Sequence, residues 1–363
     1  MRTRLPLLVL FALGCGEGAA DSADSADAGA QALDAAPDAR PTPADGGGPA
    51  DAGPARPRPV RVMTFNGGTT DGLPHGRAPD DGYDGALAAI ADEHYENSLS
   101  WNPAEAALTA WIAAQRIDVA VFQEIFHDPW CADIPVDPDL DFVCRGWTPE
   151  RPWQIQRLFG PGYQVACAPG QPDNCLAVRT AFATLRGCPL DAPCPEGLEG
   201  AGPPSGCSRG ARVGRAVLDL AAGGTWTVVN VHGTSGFGVD DAACRVDQFR
   251  QIFADRGDGQ PAANGPVNLV MGDFNTDPVF FADNDPSAAE LTALVDAYGF
   301  EFLSPTARDA PATYEGIPVR IDHVIADALT GECVIAGGTA GEPPVMDAVY
   351  WDHRPVVCDV RAR

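Results

Sequence analysis

Val267-Asn-Leu-Val-Met-Gly-Asp-Phe-Asn275 is an apolar run that stops at an acid and an amide. As far as Met271 it reads as a continuous buried strand, too short for a helix of ordinary length. The same grammar recurs on both sides. Val60-Arg-Val-Met-Thr-Phe65 is a strand stopped by Asn66-Gly-Gly, and Asn102 to Ala114 has helical spacing and an amide able to cap it. The helix runs into the short apolar strand Ile117 to Phe122. Gly210 to Leu220 and Thr225 to Val231 are strands joined at Gly223-Gly224, a hairpin signal. Asp240 to Ala254 and Ser287 to Tyr298 have helical spacing, and Val319 to Ile325 and Pro355 to Val360 read as further strands. Hairpins mixed with crossovers predict an α/β (α+β) fold, with two packed mixed β-sheets flanked by helices.

Each of these strands ends in polar side chains that a core does not require. They are Asn66, Glu124, Asn230 and His232, Asp273 and Asn275, Asp322 and His323, and Asp352 and His353. Taken singly, each is explained by a turn, a cap or a satisfied core histidine. Taken together they form a set at strand ends, where open α/β sheets bind ligands. Hard cations such as Mg²⁺ or Mn²⁺, with Ca²⁺ as an alternative, require oxygen ligands, which Glu124, Asp273 and Asp352 supply. Phosphoester hydrolysis further requires a positioned water and donors to the phosphate oxygens. Imidazoles and amides fit those tasks, and an acid beside a histidine fixes the ring's tautomer and stabilises its charge.

Thr64-Phe-Asn66, Gln123-Glu124, Asn230-Val-His232, Gly272-Asp-Phe-Asn275, Ile321-Asp-His323 and Trp351-Asp-His353 follow one another from Val60 to Arg363. In kind and order they resemble the motifs of the endonuclease/exonuclease/phosphatase superfamily, the deoxyribonuclease I-like fold. Asn174-Cys-Leu-Ala177, Ser208-Arg-Gly210 and the helix carrying Arg245 and Gln248 add weaker matches. The resemblance implies a four-layer sandwich and a divalent-metal-dependent phosphoester hydrolase. By the same resemblance, Glu124 holds the cation with Asn66 and Asp352 nearby. Asp273 orients or deprotonates the attacking water, Asn275 contacts the phosphate, and His232 donates to a phosphate or leaving-group oxygen. His353 faces the phosphate and is oriented by Asp322, and either Asp273 or His353 is the base. His323 falls where relatives carry an aromatic residue, which implies packing. Trp351, and Gly233-Thr-Ser-Gly after His232, depart from the pattern at the expected rim of the pocket.

The rest of the sequence bears on place and partner. Arg2 and Arg4, an apolar run from Leu5 to Leu13 and Gly14-Cys15 have the layout of a signal peptide over residues 1–15. The segment resembles a bacterial lipoprotein signal, which implies lipidation of Cys15 and a lipoprotein of the outer membrane or cell surface. Plain cleavage and secretion is the alternative. Residues 16–59, nearly all Ala, Asp, Gly, Pro and Ser, bury too little apolar surface to order and read as a tether spanning roughly 35 Å, ahead of a catalytic domain over 60–363.

Beyond Cys15 there are ten further cysteines, an even number that favours disulfides in an exported chain. Cys131 with Cys144, Cys167 with Cys175 and Cys188 with Cys194 would close local loops. The charge is −26 and the chain holds no lysine, which disfavours tight binding of long nucleic acid. The expected partner is a phosphoester substrate, either nucleic acid or a phospholipid headgroup, with a slight lean to nuclease activity and soluble sugar or inositol phosphates as a further alternative. No protein partner is implied. A noncatalytic binding protein on the same scaffold is the alternative of another class. Arg179 and Arg209 lie near strands in family-like positions where phosphate contact is one reading and a surface ion pair in an acidic domain the favoured one, and His75, His94 and His127 match no motif and read as surface or loop histidines.

Overall fold

The computed structural model describes residues 58–68, 82–207, 212–315, 317–337 and 350–363. The leader, nearly all of the tether, Cys15, His75 and the Ser208-Arg-Gly210 motif lie outside the described residues. The strands in chain order are β1 (Val60–Asn66), β2 (Val119–Gln123), β3 (Tyr163–Ala168), β4 (Gln171–Arg179), β5 (Ala183–Leu185), β6 (Glu199–Gly200), β7 (Val213–Leu220), β8 (Thr225–His232), β9 (Asn268–Asp273), β10 (Glu301–Phe302), β11 (Asp322–Ala326), β12 (Leu329–Ile335) and β13 (Val356–Ala362). The helices are α1 (Gly85–His94), α2 (Asn102–Gln115), α3 (Gln154–Phe159), α4 (Val239–Phe253) and α5 (Pro286–Ala297).

One sheet has the order β12-β13-β1-β2-β4-β3, and the other β10-β11-β9-β8-β7-β5 with β6 paired to β7. Within them β1 and β2 run parallel, as do β8 and β9, and the remaining pairs are antiparallel, so both sheets are mixed.

Strand residues alternate between two faces, and here each face meets a different core. Val62, Val119 and Val121 of the first sheet pack with Val228, Leu269, Met271 and Val324 of the second, filling the space between sheets. The intervening Met63, Phe65, Ala120 and Phe122 point the other way, onto Leu108 and Ile112 of α2 and Ile155 and Leu158 of α3. On the opposite flank Val229, Val231, Val270 and Ile325 pack on Phe249 and Ile252 of α4 and Leu291 of α5. Helix, sheet, sheet, helix is the four-layer order implied by the sequence, and each such buried side chain contributes roughly 1.5–3 kcal/mol. The hairpin joining β7 to β8 turns at Gly223 and Gly224, whose φ values of 91° and 88° suit glycine.

Ten cysteines form five disulfides. Cys131–Cys144, Cys167–Cys175 and Cys188–Cys194 are the local pairs read from the sequence, and Cys207–Cys244 and Cys333–Cys358 close the longer loops. Such a framework is consistent with an extracellular protein. Among the described residues, no helix is long and apolar enough to cross a membrane.

Candidate active site

The inter-sheet alternation decides which strand-end side chains meet. Asn66, His232, Asp273 and Asp322 share a face with the inter-sheet core residues of their strands, so at one end of the sandwich they turn toward each other. In the second sheet Asp273 lies between His232 and Asp322, each its register partner on a neighbouring strand. Asn66 approaches from the first sheet. Its Nδ2 donates to Asp273 Oδ2 at 3.1 Å and to Glu124 Oε1 at 3.2 Å, while its Oδ1 accepts from Gly68 N at 3.0 Å.

Two residues just beyond their strands reach the site by leaving the extended conformation. Glu124 and Asn275 have φ of 56° and 51°, the left-handed region that disfavours side chains bearing Cβ. Strain of this kind gathers at functional sites. For Glu124 the turn brings Oε1 to 3.3 Å from His232 Nε2, and Gly68 is needed opposite, because a Cβ there would collide with the Glu124 carboxylate. Asn275 bonds Asp273 twice, through N to Oδ1 at 2.7 Å and Nδ2 to Oδ2 at 2.9 Å, and Nδ2 also donates to Gly233 O.

His353 donates or accepts through Nδ1 with Asp322 Oδ2 at 2.9 Å, while Nε2 lies 3.9 Å from Asp273 Oδ2. Burial alone would lower its pKa, but Asp322, Asp352 and Asp273 together hold it well above 6.5, so the ring is charged at neutral pH and Nδ1 donates. His232 is the reverse. Burial, helped by the Arg212 charge, pushes it down to about 4, so it is a neutral imidazole. Asp273 is raised by burial, against the opposing pull of His353. Two imidazoles in one site are therefore held in opposite charge states.

The same alternation explains His323. One residue on from Asp322, it faces the outer core, near Phe274 and Phe302, with Nε2 3.2 Å from Thr276 O, and burial lowers its pKa to about 4. Asn230 is likewise structural, although its strand end suggested otherwise. It accepts from Gln123 Nε2 at 2.6 Å and donates to Phe122 O and Cys175 O, tying the two sheets together. Trp351, expected at the pocket rim, turns into the outer core beside Phe65 and Tyr350. Arg179 pairs with Asp118, which precedes β2 at the end of the sheet opposite Glu124, so the ion-pair reading is the one the structure supports. His127 is half-buried between Trp130 and Trp153.

Asn66, Glu124, Asp273, Asn275, Asp352 and His353 line a cavity of about 430 Å³. The wall opposite comes from Phe237, Phe281, Tyr314 and Ile317, none of which carried a motif. Tyr314 sets its ring against His353, and Glu315 N donates to Asp352 O at 2.7 Å, so the chain around 313–315 fixes the Trp351-Asp-His353 turn. Asp173, just before the Asn174 motif, is also close enough to feel the charges of His232 and Glu124, and burial raises its pKa. Behind the loop after His232, buried Arg245 donates to Thr234 O, Gly236 O and Asp285, and Gln248 bonds Thr234.

The donor set is suited to a hard cation. Glu124 Oε1 and Asp273 Oδ2 come from different sheets yet are both within reach of one amide nitrogen, and Asp352 lines the same cavity. Asp273, Asp322 and His353 also place one ligand atom each within 4.8 Å of one another.

The sequence profile of the Endonuclease/Exonuclease/phosphatase family matches residues 63–342. The chain belongs to that family. Its members are hydrolases of phosphoester bonds, typically dependent on divalent metal. The structure is similar to an endonuclease/exonuclease/phosphatase from Beutenbergia cavernae DSM 12333, with a TM-score of 0.51 and 18% identity over 84% of this chain and 72% of that one. It also resembles an AP endonuclease from Archaeoglobus fulgidus, with a TM-score of 0.47 and 14% identity over 82% and 98%. A third similar structure is truncated TDP2 from Caenorhabditis elegans, with a TM-score of 0.47 and 13% identity over 84% and 97%. At these identities the likeness concerns the fold. No curated protein matches the sequence significantly.

Proposed function

We propose that the chain is an exported, divalent-metal-dependent phosphodiester hydrolase, with residues 60–363 as the catalytic domain behind a leader and a flexible tether. The observation carrying this reading is the convergence of Glu124, Asp273, Asp352 and His353 from both sheets on one cavity, with Asn66 bonded to Glu124 and Asp273 and Asp322 to His353. Glu124, Asp273 and Asp352 would hold the cation, with Asn66 orienting the first two through its amide nitrogen. A cation bound there neutralises charge on the phosphate and lowers the pKa of a coordinated water.

The chain's own groups divide the remaining work. Asp273 is kept in place by both nitrogens of Asn275, which suits it to take a proton from the attacking water. The carboxylates around His353 favour its charged form, which suits it to act as a cationic donor toward the phosphate, leaving Asp273 as the base. Neutral His232, with Nε2 directed at Glu124 and Asp273, donates to a non-bridging or leaving oxygen. Asp322 holds the charge and orientation of His353.

The test is turnover of an aryl phosphodiester and of plasmid DNA by purified protein with Mg²⁺ or Mn²⁺, together with a metal-dependent thermal shift. Cleavage of neither substrate, with no shift on metal addition, rejects the reading.

A further inference from the structure

Large apolar side chains are concentrated at the mouth of the cavity. Of the eight that stand exposed among the described residues, Phe237 and Ile317 line the cavity, with 79% and 37% of their surfaces open, and Val239 and Phe280, 86% and 38% open, stand within two residues in the chain of the lining Phe237 and Phe281. Phe237 and Phe280 are supported by ring contacts from behind. Phe237 packs edge-on to Phe281 at 5.7 Å, and Phe281 to Phe280 at 5.2 Å, which joins the segment before α4 to the segment before α5. Arg245, 1% exposed, donates to Thr234 and Gly236 and so fixes the backbone that presents Phe237. A rigid apolar ridge beside a polar cavity is the arrangement of a docking surface.

Charge selects the occupant. Exposed Asp240 and Asp283 border the ridge, and Asp240 and Asp241 fill the first turn of α4, so the amide end of that helix is already met by carboxylates. A polynucleotide would bring further phosphates against these acids, and valine offers no flat face on which a base could stack. A surface of zwitterionic lipid meets both features, because its outermost groups are cationic ammoniums and apolar side chains gain by sinking beneath them. Phenyl rings also attract quaternary ammonium groups. We infer that Phe237 and Val239 seat the cavity mouth on a zwitterionic membrane surface, which makes the phosphodiester of a lipid headgroup the substrate.

This inference rests on the phosphodiesterase reading and reverses the slight lean to nucleic acid taken from sequence. Gly236-Phe-Gly-Val239 has no strand alternation to mark it in the sequence.

The test uses the full chain with divalent metal and three probes. These are vesicles of phosphatidylcholine alone, vesicles with half the lipid replaced by phosphatidylglycerol, and a single-stranded oligonucleotide. Parent protein should float with the zwitterionic vesicles and less with the anionic ones. Val239→Ser, at an exposed position outside the cavity lining, should weaken vesicle binding about tenfold from the lost apolar burial and leave hydrolysis of a soluble aryl phosphodiester unchanged. Phe237→Ser should weaken vesicle binding further. Three results overturn the inference: absence of vesicle binding by the parent, equal binding by Val239→Ser, or loss of oligonucleotide affinity in its place. A concentration-dependent dimer abolished by Val239→Ser, without vesicle binding, also overturns it. Hydrolysis of the soluble diester without vesicle binding removes this inference alone, whereas failure of that hydrolysis with any metal removes the reading beneath it.

Discussion

Replacing Asp322 by Asn should move the titration of His353 and carry the pH dependence of both activity and stability with it. Asp322 Oδ2 lies 2.9 Å from His353 Nδ1, and an asparagine oxygen can occupy that position without the charge. A hydrogen bond between charged partners is worth about 1.5–3 kcal/mol, which at 1.36 kcal/mol per unit is roughly one to two pKa units. Burial pulls His353 down, and the neighbouring carboxylates, Asp322 foremost, hold it well above 6.5. Losing one of them lets burial act, so the variant's ring gives up its proton at lower pH. The raised folded pKa stabilises the native state fully below about pH 6.5, and this contribution disappears as pH rises through the folded value. Below pH 6 the metal-free variant should therefore melt lower than the parent by roughly 2–5 °C, from an unfolding entropy of about 2.1 cal/mol/K per residue over some 300 residues. That gap should close at high pH. With metal present, if charged His353 is the phosphate donor, the alkaline fall in kcat/KM should move about one to two units toward acid. The assays are imidazole NMR titration of metal-free protein, thermal melts across pH, and a pH–rate profile. Coincident His353 titrations in parent and variant would refute the reasoning, as would an unmoved alkaline limb.

Asn66→Ala removes the donor shared by Glu124 and Asp273, and divalent-metal affinity measured by calorimetry should fall about 10- to 100-fold. His323→Phe should keep kcat within about threefold, because the ring lies in the outer core, while costing about 1–2 kcal/mol in chemical denaturation from the lost Thr276 contact. Replacing Cys207 and Cys244 together by Ser opens a loop of 37 residues and should cost about 4 kcal/mol in the same assay. A thiol count on denatured, unreduced parent should find none of the ten downstream cysteines reactive.

The strands that carry chemistry were legible because each is a buried run with a sharp polar end, as at Met271-Gly-Asp273 and Val121-Phe-Gln-Glu124. Motif order then supplied the family and the layers. What stayed hidden has weaker local signals. α3 is only six residues long, and α1 is rich in alanine with little amphipathic contrast. β12 is an edge strand whose outward Thr330, Glu332 and Val334 mix polar with apolar residues. The strand ends Asn230 and His232 looked equivalent, as did Asp322 and His323, since sequence gives spacing but not the depth of each residue within the sandwich. Alternation separates Asp322 from His323 once the inward face is known. Asn230 and His232 share a face, and only their position along β8 divides an inter-sheet tie from a side chain that meets Glu124 in the candidate site. Tyr314 and Phe237 lie on irregular chain, where no period marks the inward side.

The site therefore depends on the sandwich more than on either sheet. Glu124 and Asn66 belong to one sheet, and His232, Asp273 and Asp322 to the other, so every distance between the two sets is a distance between sheets. The Gln123–Asn230–Phe122 and Cys175 network sits one turn of alternation behind that gap, where polar bonds fix both spacing and sliding as apolar packing would not. A buried amide pair is costly if half-satisfied. Here the Asn230 oxygen accepts from Gln123 while its nitrogen finds two carbonyls, and the arrangement holds only when the sheets are in register. The geometry of the candidate site and the inter-sheet register are in this way the same constraint. This accounts for the Gln beside the Glu in the Gln123-Glu124 motif: one residue sets the spacing that the other uses.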